Sequence, residues 1–129
     1  MRHRLLGLAS LSIVVLGCQT TQPMAGIDVA GTGLEGVVRR GPITPVCRVD
    51  EPCDAPFAAS FEVRTEQRVV ARFRSDSNGL FRVALLAGSY SVVPDSSAPL
   101  LGASHQTQPV VVGPDGLTHV ELGFDTGIR

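Results

Sequence analysis

The sequence predicts an all-β protein: a seven-stranded Greek-key β-sandwich behind a signal peptide and a flexible tether. Three observations carry this. From Phe57 to Val92, apolar and polar residues alternate with period two in successive runs. Clusters of Gly, Pro, Asn, Asp and Ser break those runs at short intervals. No helical period runs through the body of the chain. Period two marks strands with one buried and one wet face, and close-set turns are the mark of a sandwich.

The chain has 129 residues. Its first 17 have the form of a removable leader, and residues 18–129 suffice for one domain. Arg2, His3 and Arg4 give a positive start, and Leu5 to Leu16 is apolar. That run is too short to span about 30 Å of hydrocarbon and suits a signal sequence. It ends Val15-Leu16-Gly17-Cys18, which resembles the bacterial lipobox. In that motif the Cys is acylated and becomes the new amino terminus, which implies lipidation of Cys18. Several acyl chains, at about 0.8 kcal/mol per buried CH₂, make a stable membrane anchor. An ordinary secretory leader with an incidental Cys18 is the alternative. Gln19 after the Cys resembles an outer-membrane address, so the expected location is the outer membrane, facing the periplasm. The membrane is then a partner through the lipid.

Residues 18–32 are the expected lipidated Cys and tether, polar and small with no period. Ile27 and Val29 offer the alternative of an added edge strand. Residues 33–129 are the expected sandwich domain. Its first strand alternates Leu34, Gly36 and Val38 with Glu35, Val37 and Arg39. Four Pro residues between Gly41 and Pro56 then exclude a helix or a central strand. With Cys18 consumed by lipid, Cys47 and Cys53 remain as a pair. In an exported chain the expected state is a disulfide. A metal site would need more ligands than two thiols, and a redox pair has tighter spacing before a helix.

In the central hairpins Phe57, Ala59, Phe61 and Val63 share one face, as do Val69, Ala71 and Phe73, and Phe81, Val83 and Leu85. A one-residue slip would put every Phe in water, so the register is specified. Asp76-Ser77-Asn78-Gly79 is a turn, with side chains that cap their own backbone and a Gly that accepts positive φ. Asp76 and Asn78 are also calcium-type ligands, but the further oxygens and distal Glu of such a loop are absent.

Ser75-Asp76-x-x-Gly79-x-Phe81-x-Val83-x-Leu85-x-x-Gly88-x-Tyr90 resembles the pattern of carboxypeptidase-regulatory-like domains, a transthyretin-like (prealbumin-like) sandwich. Leu34-Glu35-Gly36-Val37-Val38 matches their opening strand. The resemblance spans about residues 33–125. It implies an accessory or structural module without catalysis. It also implies that Tyr90 takes the tyrosine-corner position, ring buried and hydroxyl bonded to nearby backbone. The closing Asp125-Thr126-Gly127-Ile128-Arg129 is similar to the end of small bacterial lipoproteins that carry such a domain.

In the last third, Pro94 to Gln106 is expected to be a long loop with room for mobility. Gln108 to Val112 is a strand, Gly113-Pro114-Asp115-Gly116 a turn, and the final strand buries Val120, Leu122 and Phe124.

Chemistry is sparse. The net charge is −1, which gives no basic footprint for nucleic acid. No phosphate loop, nucleophile elbow or zinc-helix motif is present. The urate-pathway hydrolase built on the transthyretin fold ends in Tyr-Arg-Gly-Ser, whereas this chain ends Gly127-Ile128-Arg129. His119 and Glu121 share a strand face, but two ligands are too few for a metal site. No enzyme activity, cofactor or metal is expected. Arg64, Arg68, Arg72, Arg74 and Arg82 point outward on three successive strands. If the strands are neighbours, these residues form an anion-binding face for phosphate or carboxylate. A solvated charged surface is the alternative. The expected partners are an envelope protein or, through the Arg face, an envelope polymer or small anion.

Overall fold

A computed structural model describes residues 31–66 and 68–129. The leader, Cys18 and most of the tether lie outside the described residues. The strands are β1 (Gly33–Gly41), β2 (Ala55–Pro56), β3 (Ser60–Thr65), β4 (Arg68–Arg74), β5 (Leu80–Ala84), β6 (Gly88–Pro94), β7 (Gln108–Val112) and β8 (Leu117–Asp125). One 3-10 turn covers Ala103–His105. Strands β1, β3, β4, β5, β7 and β8 fall on segments that the sequence marks as strands, and the structure has eight strands in place of seven. The short β2 has two residues and lies at the end of the Pro-rich segment.

The strands form two sheets. In one, β1 is central: β5 and then β2 run antiparallel along one edge, and β8 runs parallel along the other. The second has the order β4-β3-β6-β7, all antiparallel. The molecule is therefore all-β and sandwich-like. The β1–β8 pairing joins the two ends of the described domain, from Gly33 opposite Leu117 to Gly41 opposite Asp125.

The core lies between the sheets and follows the predicted phases. Leu34, Val38, Val63 and Val92 are fully buried. All five Phe residues join in one aromatic chain. Phe81 stacks on Phe73 at 4.4 Å, Phe73 on Phe61 at 5.0 Å, and Phe61 and Phe124 meet Phe57 at 6.1 and 6.3 Å. Such pairs add about 0.5–1.5 kcal/mol beyond area burial. Gly36 is required by a close approach, since a Cβ there would collide with the Val120 carbonyl oxygen.

Buried hydroxyls pin the chain where it enters and crosses. Thr32, at the tether end in the sequence reading, is buried and belongs to the body. Its Oγ1 donates to Leu85 O at 2.6 Å, and Leu85 N donates to Thr32 O at 3.1 Å. Ser75, buried between sheets, donates to Phe57 O at 2.8 Å and accepts from Ala59 N at 3.0 Å. Asp76 Oδ1 accepts from Asn78 N and Leu80 N, both at 2.9 Å, which fixes the turn.

The Pro94–Gln106 connection is held at several points, not loose. Pro94 belongs to β6, and Ala98 and Ala103 are buried in the core. Gln106 clamps the segment to β8: its Nε2 donates to Leu101 O and Asp125 O, and its Oε1 accepts from Asp125 N. Period-two analysis has no means of seeing such side-chain-to-backbone ties.

Candidate functional site

The two thiols sit where the Pro-rich segment folds back on itself. Ile43 N donates to Cys53 O at 2.8 Å, which closes the base of the loop. Cys47 and Cys53 form a disulfide with Cα atoms 5.4 Å apart, inside the usual range.

The Arg residues divide between the sheets. Arg64 on β3 and Arg72 and Arg74 on β4 share the outer face of the β4-β3-β6-β7 sheet, whereas a register shift between Val63 and Arg64 sets Arg68 opposite Thr65 and out of that row. Arg82 lies on β5, which pairs with β1 and not with β4. Its guanidinium reaches Glu35 at 3.2 Å. One stripe across three neighbouring strands does not form, because the chain crosses between sheets at the Asp76–Gly79 turn. Three arginines remain together. Arg64 Nε donates to Glu62 at 3.0 Å, and Arg72 lies 3.7 Å from the same carboxylate. Arg74 donates to Ser60 Oγ at 3.1 Å. Pairs of this kind near the surface contribute about 0–1 kcal/mol.

Beside Arg64 lies an open depression of about 690 Å³, lined by Thr65, Glu66, Ser89, Ser91 and Thr107 among others. The small side chains of β6 form its floor. A second depression, about 340 Å³, runs between Arg72, Arg74, Ser60 and Asp95. Both are open to solvent.

His119 and Glu121 are exposed on β8 as expected. Glu121 lies 4.0 Å from Arg39 rather than beside a metal-type ligand. Among the described residues, no group of three or more His, Cys, Asp or Glu is placed to hold a metal ion. None of the described helices is long and apolar enough to cross a membrane.

A second polar cluster was not singled out in the sequence. It lies at the end of the sandwich where β1 and β8 finish. Arg39 holds Asp54 through two donors, at 3.0 and 2.7 Å, a bond that raises the Arg39 pKa. Asp125 accepts from Gly127 N at 2.8 Å and from Arg129 at 3.0 Å. Arg129 foremost, then the Gly127 amide, hold the Asp125 carboxyl below its ordinary range. Thr126 ties this tail to β1, its N donating to Gly41 O at 3.0 Å and its Oγ1 to Pro42 O at 2.6 Å. Arg40 donates to Pro99 O at 3.1 Å and lies 5.5 Å over the Phe57 ring. The only hint in the sequence was the Asp125-to-Arg129 ending.

No protein-family model matches this chain. No curated protein matches it by sequence. Among solved structures, a DUF3823 family protein from Bacteroides ovatus is similar, at 18% identity and a TM-score of 0.49. The match covers 71% of this chain and 42% of that one, so this chain spans less than half of that protein's length.

Proposed function

We propose that this chain is a lipid-anchored module of the bacterial envelope with a non-catalytic, structural or protein-interaction role. The observation that carries it is the leader ending Val15-Leu16-Gly17-Cys18, followed by a body whose entry is clamped at Thr32. On this reading Cys18 carries the acyl chains. Gln19 supports an outer-membrane, periplasm-facing location. The body is the seven-stranded Greek-key, transthyretin-like sandwich of carboxypeptidase-regulatory-like domains. That finer fold is supported by the Asp76–Gly79 turn and the Tyr90 hydroxyl bond to Leu86 O at 2.6 Å. Its core is filled by aromatic and aliphatic side chains, and the depressions described are open to solvent. These features favour a surface role over catalysis.

Mass spectrometry of the amino-terminal peptide tests the anchor. The expected mass is that of an acylated Cys18, and Cys18→Ala should release the chain to the soluble fraction. An unmodified terminus overturns the reading.

A second reading, binding of an anionic envelope polymer or small anion, is favoured by the excess of Arg64, Arg72 and Arg74 over Glu62 on one face. Reversing Arg72 and Arg74 to Glu should abolish retention on lipopolysaccharide or cell-wall fractions. Undiminished retention removes this reading.

A further inference from the structure

The turn that carries the chain from β4 in one sheet to β5 in the other contains Asn78-Gly79. Asparagine before glycine is open to attack by its own main chain, because glycine has no Cβ to hinder the approach. The Gly79 nitrogen, giving its proton to solvent hydroxide, bonds to the Asn78 side-chain carbonyl carbon. The bond from that carbon to Nδ2 breaks, and ammonia leaves. Water then opens the cyclic imide. One opening yields aspartate. The other yields isoaspartate, whose main chain runs through the former side chain and is one methylene longer.

Asn78 is exposed, so water reaches the site freely. What holds the reaction back is the turn. Three successive amides donate to Asp76: Asn78 N and Leu80 N to its Oδ1, and Gly79 N to its main-chain O, each at 2.9 Å. Asp76 N closes the ring by donating to Leu80 O at 3.0 Å. The attacking nitrogen is thus already engaged, with its N–H on the Asp76 carbonyl. To reach the Asn78 side chain, the Asn78–Gly79 peptide plane must turn and break that bond. Gly79 is also buried, and its O accepts from Val38 N at 2.8 Å, so the far side of the reacting bond is held as well.

We infer that Asn78-Gly79 is a deamidation site guarded by Asp76. The closed turn suppresses imide formation, and the reaction runs in molecules whose turn has opened. Such local opening costs less than unfolding the core. The site depends on neither the lipid anchor nor the Arg face.

The isoaspartyl product does not fit the closed turn. Gly79 has a φ of +74° and lies against β1, where even one added carbon would collide with Val38 O and the Pro56 side chain. A longer link between β4 and β5 also conflicts with two placements at its ends, the Phe73–Phe81 stack at 4.4 Å and the pairing of Leu80 with Val37. Isoaspartate formation is therefore a one-way step that removes opened molecules from the native pool.

The test holds the purified full chain in mildly alkaline buffer, folded in one sample and unfolded in urea in another. Trypsin, cutting after Arg74 and Arg82, then releases residues 75–82, and chromatography with mass spectrometry separates their Asn, Asp and isoaspartyl forms. Conversion should be at least tenfold slower in the folded chain than in urea. Asp76→Ala should speed it at least fivefold in the folded chain and leave the urea rate within twofold. Asp76→Ser, which keeps a weaker acceptor at the same place, should fall between the two. Circular dichroism confirms that each variant is folded. Where the alanine variant is not, hydrogen exchange at the Gly79 amide replaces it: conversion of the native chain should rise in step with that exchange as urea is added below the midpoint. Equal rates in the folded and unfolded chains overturn the proposal. So does a folded-state rate indifferent to Asp76→Ala, or to the opening that exchange reports. The isoaspartyl fraction should also melt below Asn78→Asp, which carries the same charge on a main chain of normal length. Equal melting of the two overturns the one-way step.

Discussion

The Tyr90 hydroxyl donates a 2.6 Å hydrogen bond to the carbonyl of Leu86, four residues upstream. Tyr90 packs against the core while Leu86 is exposed in the β5–β6 connection. The bond therefore ties a surface turn to the interior at the end where the chain enters. Tyr90→Phe should cost about 1 kcal/mol, the net worth of one such bond. For a domain of this size that is a fall in Tm of about 4–8 °C. Calorimetry on the purified variant reads it, and an unchanged Tm would remove Tyr90 from this role.

Gly36 sits opposite Val120 in the parallel β1–β8 pair, where a methyl has no room. Gly36→Ala should destabilise by about 1–3 kcal/mol, through forced separation of the two strands. The control is Gly116→Ala, where the Cβ meets open space but φ is +68°. It should cost about 1 kcal/mol for the strained backbone alone. Urea midpoints for the two variants decide the order, and a smaller effect at Gly36 would contradict the close approach.

The Cys47–Cys53 bond closes a short loop, with a sequence separation of 6. In the chain-entropy account, removing it should cost about 2–2.5 kcal/mol. Cys47→Ser with Cys53→Ser should lower the urea midpoint accordingly while far-UV circular dichroism stays β-rich, because the loop lies outside the core. Loss of all β signal would show that the loop is needed to fold.

Asp125 is the acid-sensitive group of the tail. Arg129 and the Gly127 amide favour its charged form, so its folded pKa lies below the unfolded value. The bond then contributes stability above about pH 4, the ordinary Asp value, and loses it as pH falls through the folded pKa. Asp95, held low by Ser97, adds to the same slope. Tm should hold from pH 7 to about 5 and fall below about 4. Asp125→Asn should flatten part of that fall, and an identical profile would show that the tail contributes nothing.

Most of the strand pattern was legible before any coordinates. The alternation of Phe57, Ala59, Phe61 and Val63, and of Phe81, Val83 and Leu85, gave the correct buried faces because one sheet face must exclude water. The Asp76–Gly79 turn was legible because its chemistry is local. The ties of the Pro94–Gln106 segment were not legible, because they come from Gln106 reaching β8 and from Ala98 and Ala103 entering the core. The Arg face was drawn too wide. Outward phase is a property of each strand, but whether two strands are neighbours is a property of the sheet.

By itself the sequence determined which side chain of each strand is dry and where the chain turns. These follow from burial of apolar area and from local backbone preference, both of which act within a few residues. Only the tertiary structure decided that β8 lies parallel to β1, that Arg82 lies in a different sheet from Arg72, and that Gln106 ties its segment to β8. Those relations join residues tens of positions apart, and they are set by how two sheets close on a shared core.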